Sequence, residues 1–314
     1  MTPCRYQFRV IPLLVIYVLI ACWGARGASE SLVLKIQEEL DAGQVDEAVT
    51  SAREASAQFP QSPEIQQLLG VALFKKGLNE EARTAFRRAA ALDPRNPESH
   101  FDLALVDMAD KRFVEASKSL EESLRLDTGN AQAHLLLGRL YHNQNQTLPA
   151  IKQFKKALAL APTLPLGHYH LGFAYQSLGD LTSALTEYRR EMEINPRFPN
   201  AYWLAGDIEL KKGSLDGAEK SFLKAIALRP EAYQAHYGLA RVYLAQRRFP
   251  EAETELQTTL HSRPDDPEIH YALARLYQQT GREKEAENEF AICSSLHAKE
   301  QKTASGIAGS ARKP

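Results

Sequence analysis

Small and apolar residues fall on a fixed ruler along most of this chain. In 34-residue windows counted from Ser29, position 20 is alanine eight times in succession: Ala48, Ala82, Ala116, Ala150, Ala184, Ala218, Ala252 and Ala286. Position 8 is small in seven windows: Gly70, Ala104, Gly138, Gly172, Gly206, Ala240 and Ala274. Position 24 is large and apolar or aromatic in seven, as in Phe86, Phe154, Tyr188, Phe222 and Phe290. Positions 4, 7, 8 and 11 have helical spacing and share one face. Each window therefore predicts a pair of helices. Small residues at 8 and 20 let them approach closely, and the bulky groups at 11 and 24 fill the space beside them.

The punctuation is equally regular. Position 15 is Gly43, Gly77, Gly179, Gly213 and Gly281, with Asn145 in another window; glycine or asparagine there can end a helix in the left-handed conformation. Asp180 and Ser214 follow as caps for second helices, and Pro149 and Pro250 stand at helix starts, where a missing N–H costs little. Pro60, Pro94, Pro162, Pro196, Pro230 and Pro264 at position 32 stop the second helix before the next window begins. The windows are 29–62, 63–96, 97–130, 131–164, 165–198, 199–232, 233–266 and 267–300. One hairpin cannot bury its apolar face alone, so stability must come from stacked neighbours.

These phases together resemble the tetratricopeptide repeat, whose signature is W-x2-L-G-x2-Y, then A-x3-F, then P. HLLLGRLY (134–141) followed by AIKQFKKAL (150–158) matches it closely, and Tyr141, Tyr175, Tyr243 and Tyr277 occupy position 11. The resemblance covers residues 29–300. The first unit departs most, with Leu32, Lys35, Ile36 and Glu39 at signature positions, and the eighth has Ala298 in place of proline. The resemblance implies an all-α fold, a right-handed superhelical solenoid of eight tandem hairpins. It also implies a scaffold whose first helices line a concave groove with positions 2, 5, 9 and 12.

Position 5 reads Val33, Gln67, Phe101, Leu135, Tyr169, Trp203, Tyr237 and Tyr271, an aromatic and apolar stripe from the third unit onward. Position 9 adds Arg139, Arg241 and Arg275, each one turn beyond its position-5 neighbour. Aromatic and arginine side chains are what protein-binding hot spots use. Phe101, Tyr169, Trp203, Tyr237, Arg241, Tyr271 and Arg275 are therefore the expected groove residues, for an extended or helical peptide with an acidic or aromatic element. The alternative is that these rings pack between adjacent first helices. Chaperone-binding members of the family resemble one another in a clamp of Lys at position 5 and Asn at position 9, a pair that no unit here carries.

Charge narrows the partners. The net charge is −1; setting aside three leader arginines (Arg5, Arg9, Arg26) and a surplus of three cations in the tail leaves about −7 on the array. Nucleic acid is a poor partner for such a surface. Residues 1–28 fall outside the repeat. Two arginines precede the apolar run Val10 to Cys22, which is too short to span a bilayer and fits the h-region of a secretory signal. Ala25-Arg26-Gly27 before Ala28 is a small-x-small cleavage site. Leu19-Ile20-Ala21-Cys22 resembles a lipoprotein lipobox and implies lipidation at Cys22. An uncleaved membrane anchor is the third reading. All three export the array, to the periplasm or envelope membrane in a bacterium.

Catalytic chemistry finds little support. Five histidines share position 4 (His100, His134, His168, His236, His270), but they recur one full repeat apart, whereas zinc needs its ligands about 2 Å from one ion. They are expected as packing residues, and no cofactor or metal is called for. Cys293 is expected as a packed thiol, and the cysteines show neither a disulfide framework nor metal-ligand spacing. No nucleophile–base pair and no phosphate loop is evident. Residues 301–314 are expected as a disordered basic tail. After Phe290 no polar capping helix is evident, so the last unit is expected to expose apolar surface. The sequence reads as a non-catalytic scaffold for protein partners. The alternatives are a self-assembling protein joined as a homo-oligomer through its end faces near Phe290 and Ile292, and an accessory subunit presenting substrate to a separate enzyme such as a glycosyltransferase.

Overall fold

Two helices per window is what the chain builds. The computed structural model describes residues 28–310, with side chains through 301. The leader readings, Cys22 lipidation among them, lie outside the described residues, as does 311–314. Sixteen helices and no strands are present among the described residues. The chain divides into two compact units, Met1–Pro149 and Ala150–Pro314.

The first unit holds α1 (28–41), α2 (Val45–Gln58), α3 (Pro63–Lys75), α4 (Asn79–Leu92), α5 (Pro97–Ala109), α6 (Phe113–Leu126) and α7 (Ala131–Asn143). From α2 to α7 each helix packs on the next. The hairpin closes because Gly70 leaves room for the Phe86 ring; a methyl at Gly70 would stand 2.6 Å from it. The joint between α4 and α5 is ionic. Arg83 Nε donates to Asp107 Oδ1 at 2.8 Å, and its guanidinium also pairs with Asp110 and Glu80. Arg83 and Asp107 are each 1% exposed.

The second unit holds most of α8 (Thr147–Leu160), then α9 (Gly167–Ser177), α10 (Leu181–Ile194), α11 (Pro199–Lys211), α12 (Leu215–Leu228), α13 (Tyr233–Ala245), α14 (Phe249–Ser262), α15 (Pro267–Gln279) and α16 (Glu283–Ser310). Phe222 shows how one ring joins two repeats. A methyl on Gly206 of its own repeat would approach the ring to 3.0 Å, and one on Gly238 of the next repeat to 2.3 Å. Arginine–tyrosine clamps hold successive repeats. Arg248 and Arg282 lie 4.1 Å over the rings of Tyr243 and Tyr277. Arg248 bonds Glu219 at 2.9 Å and Arg282 bonds Glu253 at 2.8 Å, each carboxylate coming from the preceding repeat.

All eight residues at position 15 lie at positive φ, between 59° and 82°. Lys111 and Arg247 adopt this conformation as well as the glycines and Asn145. Asp180 caps α10 by accepting from Ser183 N, whereas Ser214 makes no side-chain cap on α12.

One expectation is corrected at the C-terminus. The stretch 301–310 is helical rather than disordered: α16 runs 28 residues, twice the 14 of α14. The eighth unit lacks the position-32 proline, and the Ala, Lys, Glu and Gln residues that follow are good helix formers. On the last unit Phe290 is half-buried, and Tyr271, itself 50% exposed, packs edge-on against it at 5.9 Å. Cys293 is a buried free thiol. Among the described residues no helix is long and apolar enough to cross a membrane.

Candidate peptide-binding cleft

The period brings some of the predicted groove residues to one place and leaves others apart. A cleft of about 530 Å³ lies within the second unit. Trp203 and Asp207 on α11, and Tyr237 and Arg241 on α13, form one side, with Phe222 at its floor. Positions 5 and 9 are one helical turn apart, so each first helix presents this pair together. Arg241 lies 6.0 Å over the Tyr237 ring and bonds Asp207 at 3.3 Å. Asp207 also pairs with Lys211 at 2.6 Å.

The remaining wall comes from outside the predicted stripe. Tyr233 opens α13 beneath Arg263, whose guanidinium stacks over the ring at 4.9 Å and pairs with Asp266 at 3.4 Å. Asp265, Asp266 and Glu268 line the turn into α15, where Asp266 accepts from Glu268 N as the helix cap. His297 and Glu300, 3.5 Å apart, reach the cleft because α16 overruns the place where the other second helices end. Burial pushes the Tyr237 hydroxyl up, and the neighbouring Glu268 and Asp266 push it further, against an opposing pull from Arg241.

The other predicted residues sit elsewhere. Tyr169 belongs to an aromatic cluster, 5.0 Å from Phe198 and 6.2 Å from Tyr188. The buried Glu191 on α10 accepts from Tyr169 N and so caps the start of α9. Tyr271 is 50% exposed and leans on Phe290. Arg275 is exposed on α15. Phe101, in the first unit, packs partly buried against the cluster of α5 to α7. Next to it Asp102 accepts from Gln67, and burial lifts its carboxyl to about 6. Packing and lining are therefore combined in these rings: Trp203 packs against two hydrophobic clusters while it borders the cleft.

Three of the five position-4 histidines staple their repeat to the one before it. His168, His236 and His270 each place Nδ1 2.5–2.6 Å from a glutamate on the second helix of the same repeat: Glu187, Glu255 and Glu289. Each Nε2 reaches the carbonyl of the proline closing the preceding repeat, at 2.8–3.1 Å. Tyr202 reaches the Pro196 carbonyl from the same position at 3.3 Å. For His236 and His270 both partners are acceptors, and a neutral ring can donate only once. The glutamate hydrogen bond accordingly lifts His236 above the ordinary histidine value. For His270 burial pulls down, but Glu289 and the Pro264 carbonyl together carry it up. Among the described residues no group of His, Cys, Asp or Glu converges as a metal site.

Models of the tetratricopeptide repeat match residues 33–97, 138–179, 169–233, 209–276 and 267–295. This chain belongs to the tetratricopeptide repeat family. No curated protein matches it in sequence. Among solved tetratricopeptide structures, MamA is 29% identical with a TM-score of 0.50, over 52% of this chain and 95% of MamA. PilF of Pseudomonas aeruginosa is 19% identical with a TM-score of 0.61, over 68% of this chain and 96% of PilF. YrrB, described as a tetratricopeptide protein with an unusual peptide-binding site, is 20% identical with a TM-score of 0.53, over 59% of this chain and 95% of YrrB. The last two likenesses concern the fold. Membership of the tetratricopeptide family supports a protein-interaction scaffold.

Proposed function

We propose that this tetratricopeptide array recruits a protein partner outside the cytoplasm by taking a peptide segment into the Trp203–Tyr237 cleft, without catalysis of its own. One observation carries the reading: successive first helices deliver rings and charged groups to a single hollow large enough for several side chains. Such hollows, aromatic at the centre and polar at the rim, are where hot-spot residues sit. Export rests on Arg5 and Arg9 ahead of the apolar run Val10 to Cys22. The leader either releases the array or holds it at a membrane, through a lipid on Cys22 or as an uncleaved anchor.

Capture of partners from envelope fractions, with wild-type chain and Tyr237→Leu side by side, tests the cleft. Leucine keeps an apolar body in place, so the melting temperature should stay within a few degrees while affinity for the captured partner falls about tenfold or more. Undiminished capture by Tyr237→Leu would remove the cleft from the function. Fatty-acid labelling of wild type and Cys22→Ser tests the anchor; equal labelling of the two excludes a lipid on Cys22.

A further inference from the structure

The rings and arginines at positions 5 and 9, read along the chain, point to a partner with an acidic or aromatic element. The charges around the cleft point the other way. Both arginines that line it already have a carboxylate: Arg241 has Asp207 and Arg263 has Asp266, while His297 lies 3.5 Å from Glu300. Asp207 holds Lys211 as well. Two lining carboxylates are left over, Asp265 and Glu268, both exposed and without an ion pair among the described residues. The uncompensated charge of the cleft is therefore negative. The rings beside it already show what they accept, since Tyr233 and Tyr237 each carry an arginine over the face. Among the described residues no cation covers Trp203, which borders the same space. An aromatic face next to an unpaired carboxylate is a receptor for a cation.

We propose that the cleft selects a cationic peptide segment, with a lysine or arginine side chain directed between the Trp203 ring and the Asp265 and Glu268 carboxylates. The inference rests on the cleft being the peptide site and adds the chemistry of its occupant. An acidic segment would meet two unpaired carboxylates and could reach Arg241 or Arg263 only by displacing Asp207 or Asp266. Selectivity of this kind comes as much from what is repelled as from what is attracted.

Trp203 supplies the readout. The chain has two tryptophans, Trp23 and Trp203, so the full chain carrying Trp23→Phe reports on Trp203 alone. The probes are two blocked nonapeptides of alternating leucine and lysine, or alternating leucine and glutamate. The lysine peptide should shift Trp203 emission, and its affinity should fall several-fold between about 0.05 and 0.3 M salt as screening grows. Asp265→Asn with Glu268→Gln should weaken it about tenfold with unchanged melting, because both side chains are exposed. Equal or tighter binding of the glutamate peptide overturns the charge assignment and leaves the peptide site standing. Lysine-peptide binding indifferent to the double substitution also overturns it. If neither peptide moves Trp203 while Tyr237→Leu still loses the captured partner, this inference alone falls. If the partner too is indifferent to Tyr237, both fall.

Discussion

The joint between the second and third repeats, in the first unit, and the joints of the last three repeats, in the second, solve one problem with opposite signs. Position 21 is Arg83 in the first unit and Glu219 or Glu253 in the second. Its partner at position 11 of the next repeat is Asp107 in the first unit and Tyr243 or Tyr277 in the second. In the second unit the cation comes from position 16, as Arg248 and Arg282; the first unit has Arg112 there, 3.6 Å from Asp107. What these three joints share is a cation facing an anion across the joint. Which helix supplies which charge is free. Depth of burial is not equivalent, however. Arg83 is 1% exposed, while the Arg248 side chain is 40% exposed and stacked on a ring. One joint depends on an ion pair removed from water and the other on a wet clamp.

The sharpest way to separate them is to delete each arginine. Arg83→Met leaves Asp107 buried without its main partner and should cost about 3–5 kcal/mol in urea unfolding. Arg248→Met should cost only a small fraction of that, because an exposed pair contributes little. Equal costs would erase the distinction. Arg83→Glu with Asp107→Tyr converts the first joint to the second kind, with Arg112 already at position 16. The pair should be markedly more stable than the sum of the two single changes predicts.

A smaller effect separates the units by pH. His236 and His270 hold a proton more tightly folded than unfolded, as their raised values require. The stability they add is complete below about 6.5 and drains away as pH climbs through those raised values. Protection factors for amide exchange in α13 to α16, which remove the base-catalysed intrinsic rate, should therefore fall on the alkaline side. His236→Gln with His270→Gln should flatten that dependence, at about 1–2 kcal/mol for each staple. Unchanged pH dependence in the variant would show that the staples are neutral.

Asp102 gives the least effect and a different window. Its carboxyl, raised from 3.8 to about 6 chiefly by burial, also binds its proton more tightly when folded. The first unit should lose stability as pH rises from about 4 to about 6. Asp102→Asn, which can still accept from Gln67, should gain about 1 kcal/mol near pH 7. A loss there would mean that the charge is stabilising.

Much of this was legible along the chain, and the illegible parts share a cause. The small residues at positions 8 and 20 and the rings at position 24 act within one repeat, so periodicity exposed the packing. The position-15 turn was also legible as a type, yet Lys111 and Arg247 adopt it without being glycine; the repeat imposes the conformation on them. His168, His236 and His270 were placed as packing residues, but their glutamates stand 19 residues downstream on another helix. Trp203, Tyr237 and Arg241 could be found because positions 5 and 9 recur. Asp265, Glu268 and His297 could not, because they come from a turn and from a helix that overran its missing proline. Without them the stripe suggested a peptide with an acidic or aromatic element.

Phe222 has a double duty with a thermodynamic consequence. The same ring is clasped between Gly206 and Gly238 and forms the floor of the cleft. Whatever rests on that floor also presses on the hinge pin of two adjoining repeats. Occupancy must then brace that pin against local opening, by an amount that grows with ligand concentration. Conversely, loosening the pin will cost affinity even when every rim residue is intact.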